Sequence, residues 1–333
     1  MKKLIRLISA AMIIAMAFCL VSCGSSKEEE PETKTVKAVI VKQLDHASLD
    51  EIAAAIEAQL KAEAAAAGVV IDIETVSGQN DPTAIKQLAE QAIAKNADVI
   101  IPIATMAAQI CASSADGTGI PVIYAAISDP YGAGLTGLDK VYGTSDALNT
   151  DTILRMVFAA DSSVSKVGLL YSLSETNSGV PITDAKAILD SKGIAYTEAT
   201  AESPDEVRAA VSLLISENVD AIFTPTDNVI MAAELAIYED LKEAGIPHYA
   251  GADSFVRNGA FATCGVNYTD LGKKTGELAF KAALDPDVSF GSDFYLMDGG
   301  IVTVNTETAE ALGIDYSSFS EIGEVIEVIT TED

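Results

Sequence analysis

The sequence predicts an α/β protein built as two doubly wound parallel-sheet lobes. Three observations carry this expectation. Beyond residue 36, short apolar runs alternate with stretches of helical periodicity, the order that builds a parallel sheet covered by helices on both faces. The pattern then repeats. KAVIVKQLD at Lys37–Asp45 parallels KVGLLYSLS at Lys166–Ser174, NADVII at Asn96–Ile101 parallels NVDAIF at Asn218–Phe223, and GIPVIYAA at Gly119–Ala126 parallels GIPHYAGA at Gly245–Ala252, at separations of 129, 122 and 126 residues. Finally, the chain has 333 residues, 49% of them hydrophobic and 21% charged, and a globular chain of that length divides into two cores more readily than it fills one.

The first segment stands apart from the lobes. Met1–Ser22 has a basic start (Lys2, Lys3, Arg6), an apolar run from Leu7 to Leu20 and small residues before a cut, the layout of a secretory signal. The apolar run is shorter than the roughly 20 residues of a membrane span. Leu20-Val21-Ser22-Cys23 resembles the bacterial lipobox, which implies a lipid on Cys23 and a place on the extracytoplasmic face of the cell membrane. Residues 23–35 then form a tether. From Gly24 to Thr35 it has no large apolar side chain, so it cannot bury enough surface to offset its ordering entropy.

The elements follow in order. Lys37–Val41 reads as a buried strand. Ser48 and Glu51 form a capping box before a helix with Leu49, Ile52, Ile56 and Leu60 on one face, closed by Gly68. Val69–Val76 is the next strand, and Asp81-Pro82 supplies a cap and a first-turn proline for the next helix. Asp98–Ile103 is a third strand, a short helix starts near Thr105, and Ile120–Ala126 is a fourth strand. The repeat carries the same winding into the second half.

A net charge of −28 argues against nucleic acid or an anionic membrane surface as the main partner, because both require clustered Lys and Arg. Within the lobes, Cys111 and Cys264 lie in apolar surroundings, far apart in sequence and in no CxxC pair, so free buried thiols are expected. Gly132–Gly137 matches GxGxxG, but a dinucleotide site needs a strand before it and a helix after it, and no helix pattern begins there. The sequence has no P-loop, GxSxG elbow or HExxH, and neither cofactor nor metal is expected. Of the two histidines, His46 sits in a strand-end loop and His248 in a strand.

Polar residues gather in the loops after the paired strands. In the first half these hold Gln43 and His46; Thr105, Met106 and Ala107; Ser128 and Asp129. In the second half they hold Asn177 and Ser178; Asp227 and Asn228; Asp253. Ligands of open parallel sheets bind beyond the carboxyl ends of the strands, so two such lobes would direct all six loops into one cleft. The helix starts at Thr105 and at Asn177-Ser178 would offer free N–H groups to a carboxylate. The aspartates Asp129, Asp227 and Asp253, with no nucleophile or metal set beside them, read as ligand contacts rather than acid–base groups.

The stretches IATMAAQ at Ile103–Gln109, YAAISDP at Tyr124–Pro130, TPTDN at Thr224–Asn228 and AEALGI at Ala309–Ile314 resemble signature segments of one family: ABC-transporter substrate-binding proteins associated with tryptophan, tyrosine or phenylalanine uptake. The resemblance runs from about Val36 to the C-terminus. It implies the type I periplasmic-binding fold, with a three-segment hinge, closing on an α-amino acid, aromatic or branched, and a permease and an ATPase as partners of a monomeric, non-enzymatic capture subunit. The matching positions imply that Asp227 with Asn228 holds the ligand's ammonium, since an enclosed ammonium requires paired charge, that Asp129 instead holds the passage between lobes, and that Leu44, Met106, Tyr124 and Phe255 form apolar walls. The hinge is expected near residues 143–145, 267–268 and 291–296, giving one lobe of 36–144 plus 268–292 and another of 145–267 plus 293–333. Ala252-Asp253 stands where the family often has Glu or Gln, which leaves the ligand's side chain open. A capture protein or sensor for a nucleoside or sugar is the alternative.

Overall fold

The computed structural model describes residues 35–331. The expected signal segment, Cys23 and the tether up to Lys34 lie outside the described residues. The chain starts with β1 (Thr35–Lys42), α1 (Ala47–Ala67), β2 (Val70–Ser77), α2 (Pro82–Ala94), β3 (Val99–Ile103), α3 (Thr105–Ala115), β4 (Val122–Tyr124) and β5 (Val141–Ser145). The second winding is α4 (Thr150–Ala160), β6 (Lys166–Tyr171), α5 (Gly179–Lys192), β7 (Ala195–Thr200), α6 (Pro204–Ser216), β8 (Ala221–Thr224), α7 (Asn228–Met231), α8 (Glu234–Ala244), β9 (His248–Ala250), α9 (Asp253–Arg257) and β10 (Ala262–Gly265). The chain then returns through α10 (Tyr268–Leu284), β11 (Tyr295–Leu296), β12 (Ile301–Asn305), α11 (Thr306–Leu312) and β13 (Glu324–Val328).

Two sheets result, ordered β11-β5-β4-β3-β1-β2 and β13-β12-β10-β9-β8-β6-β7. The segments matched by the internal repeat occupy equivalent positions, with β1 and β6 each flanked by two parallel partners. One pair departs from the parallel expectation: β12 runs antiparallel to β10. The third crossing also falls later than expected. Tyr295 and Leu296 pair with Thr144 and Ser145 in the first sheet, so the return to the second lobe lies between β11 and β12.

Strand alternation sets the layers. In β1, Val36, Ala38 and Ile40 face α1 and α10, while Val39 and Val41 face α2 and α3. In β6, Val167 and Leu169 pack with α4 and α5, while Leu170 packs toward α6 and α7. Strands buried on both faces read as continuous apolar runs, which is why these were the clearest elements of the sequence. Gly68 ends α1 with φ 66°, its N–H donating to the Ala64 and Ala65 carbonyls, a conformation glycine adopts without a Cβ penalty. Asp81 caps α2 by accepting from the Thr83 and Ala84 N–H groups at 2.7 and 3.4 Å. The start of α1 differs from the capping-box expectation. The helix begins at Ala47 with His46 at the cap position and no side-chain cap, so Ser48 lies inside the first turn and directs its hydroxyl to Ser254 of the other lobe.

Candidate functional site

The carboxyl ends of the two sheets meet across a cavity of about 30 Å³, whose wall includes Ser48, Leu49 and Ile52 of α1, Ala104 and Thr105, Ser128, and from the other lobe Asn177, Thr226, Asp227, Asn228 and Phe255. This is well below the roughly 300–1,000 Å³ of open small-molecule pockets, because the lobes are in contact across it. Two residues of the wall belong to the crossings: Asp146, just after β5, and Tyr268, the first residue of α10.

Direct hydrogen bonds hold the lobes together around the cavity. Gln43 Nε2 donates to Glu175 Oε1 at 2.8 Å, His46 Nε2 meets Asn228 Oδ1 at 3.1 Å, Ser48 meets Ser254, and Ser128 Oγ meets Thr226 Oγ1 at 2.9 Å. The first two belong to one chain of bonds whose direction is fixed at its end. The Met106 N–H donates to Gln43 Oε1 at 3.1 Å, which turns the Gln43 amide nitrogen toward Asn80 and Glu175. Asn228 Nδ2 donates to Glu175 Oε2 at 2.8 Å, so Asn228 Oδ1 accepts from His46. Burial holds the His46 pKa below its ordinary value. At neutral pH the ring is therefore neutral with its proton on Nε2, and buried Nδ1, which has no partner among the described residues, presents an acceptor lone pair.

The cavity wall is acidic and contains no Lys or Arg. Burial raises the pKa of Asp146. Burial, followed by the charge of Asp227, pushes Glu175 up to about 8. Burial likewise raises Asp227, opposed by the N–H and O–H groups that donate to it.

Strain is concentrated here as well. Ala104 and Ala126, both on the wall, have φ of 75° and 56°, a region alanine rarely adopts and which marks functional sites when the surrounding structure enforces it. Ala104 occupies the cap position of α3 with no side-chain cap.

Of the residues expected in the cleft, His46, Thr105, Ser128, Asn177, Asp227 and Asn228 line the cavity. Gln43 is buried behind it as the link between Met106 and Glu175. Ala107 packs in the core beneath α3, with Met106 against that core. Asp129 holds its own turn by accepting from the Gly132 N–H at 2.9 Å, and no helix begins in the glycine loop that follows. Asp253 pairs with Arg257 at 3.2 Å and lies off the wall. Of the expected apolar walls, Phe255 is in place, while Leu44 and Tyr124 are core residues.

Two expected roles change. Asp227 does not offer a free carboxylate: Oδ1 accepts from the Val229 and Ile230 N–H groups at 3.1 Å each, and Oδ2 accepts from the Ser172 N–H and the Ser178 hydroxyl at 2.7 Å each. Four donors of its own lobe fill the approximately four acceptor sites of a carboxylate. Asn177 and Ser178 do not form an open helix start either. Asn177 Nδ2 donates to the Thr226 carbonyl at 2.6 Å, and Ser178 sits behind the wall on Asp227.

Sequence reasoning missed Asp146 and Tyr268 because it treated the crossings as linkers. A signal was present: Val141–Asp146 (VYGTSD) has the same strand-then-polar form as the other loops of the cleft. His248 is structural, held between Glu234 and Thr224 at 3.0 and 2.8 Å. Cys111 and Cys264 are free and buried.

A family model described as ABC transporter substrate binding protein matches residues 37–320. A tyrosine-binding protein of Clostridioides difficile (strain R20291) is 29% identical over 332 residues, covering 96% of this chain and 95% of its own. Among solved structures, an ABC domain in complex with L-Trp from Streptococcus pneumonia is similar at a TM-score of 0.80 and 29% identity, over 88% of this chain and 100% of that one. The ligand-free, open structure of a substrate binding protein with adhesive properties from Clostridium difficile gives 0.65 at 28% identity, over 89% and 100%. At nearly equal identity and coverage, the overall similarity is higher to the L-Trp complex than to the open structure.

Proposed function

Since the chain belongs to the family of ABC transporter substrate binding proteins, we propose that it captures an aromatic α-amino acid between its lobes and presents it to a membrane permease driven by an ATPase. The observation that carries this reading is the composition of the wall. It joins carboxylates without any cationic side chain to an apolar surface of Leu49, Ile52, Met231, Phe255 and Tyr268. A cationic group with an aromatic or large apolar body fits both features, because a buried carboxylate requires a compensating charge and aromatic ligands gain from ring and aliphatic contacts. The start of α3, where Ala104 provides no side-chain cap and the Met106 N–H is held by Gln43 Oε1, supports a place for the ligand's carboxylate at Thr105, at the positive end of the helix dipole. The relatives described as tyrosine-binding and as an L-Trp complex support the aromatic class. His46 Nδ1, His46 being a wall residue, would accept a hydrogen bond from a phenol or indole N–H.

In this reading the protein is a capture subunit and not an enzyme, a monomer tethered to the extracytoplasmic face of the membrane by a lipid on Cys23. Its ligand contacts are drawn from His46, Thr105, Ser128, Asn177 and Asn228 together with Asp146 and Tyr268. A thermal-shift panel of amino acids, nucleosides and sugars tests the ligand class on the purified protein. At 100 times its dissociation constant a ligand adds about 2.7 kcal/mol of stability. L-tyrosine or L-tryptophan is expected to raise the melting temperature. A rise confined to sugars or nucleosides would overturn the reading.

A further inference from the structure

We infer that Asp146 is the specificity-determining residue for the ligand's α-ammonium group, so that the cleft takes primary ammonium zwitterions and rejects their deaminated analogues. This rests on the reading of the cavity as an amino-acid site and adds the residue that reads the charge.

The acidic groups around the cavity differ in what already satisfies them. Asp227 has its acceptor sites filled by four donors of its own lobe. Glu175 has both oxygens held by the amides of Gln43 and Asn228. Asp253 has Arg257. Asp146 alone among these is a wall residue with a carboxylate met only by neutral groups on too few sides. Ser128 Oγ donates to Oδ1 at 3.0 Å, the Tyr268 hydroxyl donates to Oδ2 at 3.0 Å, and its own backbone N–H makes a further contact. Its side chain is buried and no Lys or Arg stands on the wall beside it. A buried charge left in this condition is unfavourable unless a cation joins it or a proton neutralises it, and burial raises its pKa accordingly. A ligand ammonium supplies the missing charge and uses the acceptor capacity that remains.

The position also ties recognition to closure. Asp146 stands at the first crossing, Tyr268 immediately after the second, and Ser128 bridges to Thr226 of the other lobe. An ammonium seated on Asp146 is therefore in reach of both lobes and of two crossings.

The test is titration calorimetry of the purified protein and its Asp146→Asn variant with L-tyrosine and L-tryptophan, and with their analogues in which hydrogen replaces the α-ammonium. The amide keeps the shape of the site, since the Ser128 and Tyr268 hydroxyls can donate to Oδ1 or accept from Nδ2. The wild type is expected to prefer the amino acid by at least about 30-fold, and Asp146→Asn to lose most of that preference by weakening the amino acid alone. Asp146→Ser provides the same readout with a smaller neutral side chain should the amide fail to fold. Neutral variants that bind the amino acid within about twofold of wild type would overturn the assignment while leaving the amino-acid site intact. A wild type that binds neither amino acid would overturn the site itself, and the assignment with it.

Discussion

At the scale of single residues, the cleft shows how little a carboxylate's presence says about its role until its hydrogen bonds are counted. Asp227 and Asp146 both follow apolar strands and both reach the cavity wall, yet one is saturated by its own lobe and the other is not. Asp227→Asn separates the roles. Asparagine can still accept from the Val229 and Ile230 N–H groups, as a cap, but its Nδ2 would face the Ser172 N–H donor that Oδ2 now satisfies. A buried donor left without an acceptor costs about 1–3 kcal/mol. The ligand-free variant is expected to lose stability by that amount in a denaturant titration. Unchanged ligand-free stability together with a large loss of affinity would instead make Asp227 a direct ligand partner.

At the scale of elements, the cavity depends on the packing of α1 against α10, which delivers Ser48, Leu49 and Ile52 from one helix and Tyr268 from the other. The approach is close because α10 carries glycine where the helices touch. A Cβ on Gly272 would lie 2.6 Å from Ala55 Cβ and 2.7 Å from the Ile52 carbonyl oxygen, and one on Gly276 would lie 2.8 Å from Gln59 Cβ. Gly272→Ala is therefore expected to destabilise the fold by about 1–3 kcal/mol through overpacking, although alanine is the better helix former by up to about 1 kcal/mol. Chemical denaturation measures this, and a variant as stable as wild type would contradict the close packing. Elements of this kind were legible in sequence because their cues are local: apolar runs at β1 and β3, the Asp81-Pro82 start and the Gly68 stop. The site was legible only in part. Loops after paired strands could be found by the repeat, which located His46, Thr105, Ser128, Asn177 and Asn228. Whether Asp227 is free or saturated depends on Ser172 and Ser178, some 50 positions away in the chain, and no spacing rule reports that. The local rule failed at Ser48 for a similar reason. The helix starts at Ala47, which puts Ser48 inside the first turn, where its hydroxyl meets Ser254 of the other lobe.

At the scale of the whole molecule, the hydrogen bonds between lobes around the cavity lie beside an apolar cluster that draws on both lobes, and this arrangement buries Asp146 without a cation on the cavity wall. On the proposed reading, closure is disfavoured until a ligand supplies one, and a ligand shifts the population toward the closed form by its preference for it. The higher similarity to the L-Trp complex than to the ligand-free open structure agrees with the closed lobes described here. The central claim, that two hinged lobes close over an aromatic amino acid, is tested most directly by small-angle scattering of the purified protein with and without saturating L-tyrosine or L-tryptophan. The account predicts a smaller radius of gyration with the amino acid and no change with its deaminated analogue at the same concentration. An unchanged radius of gyration in a sample that calorimetry shows to be saturated with the amino acid would contradict it.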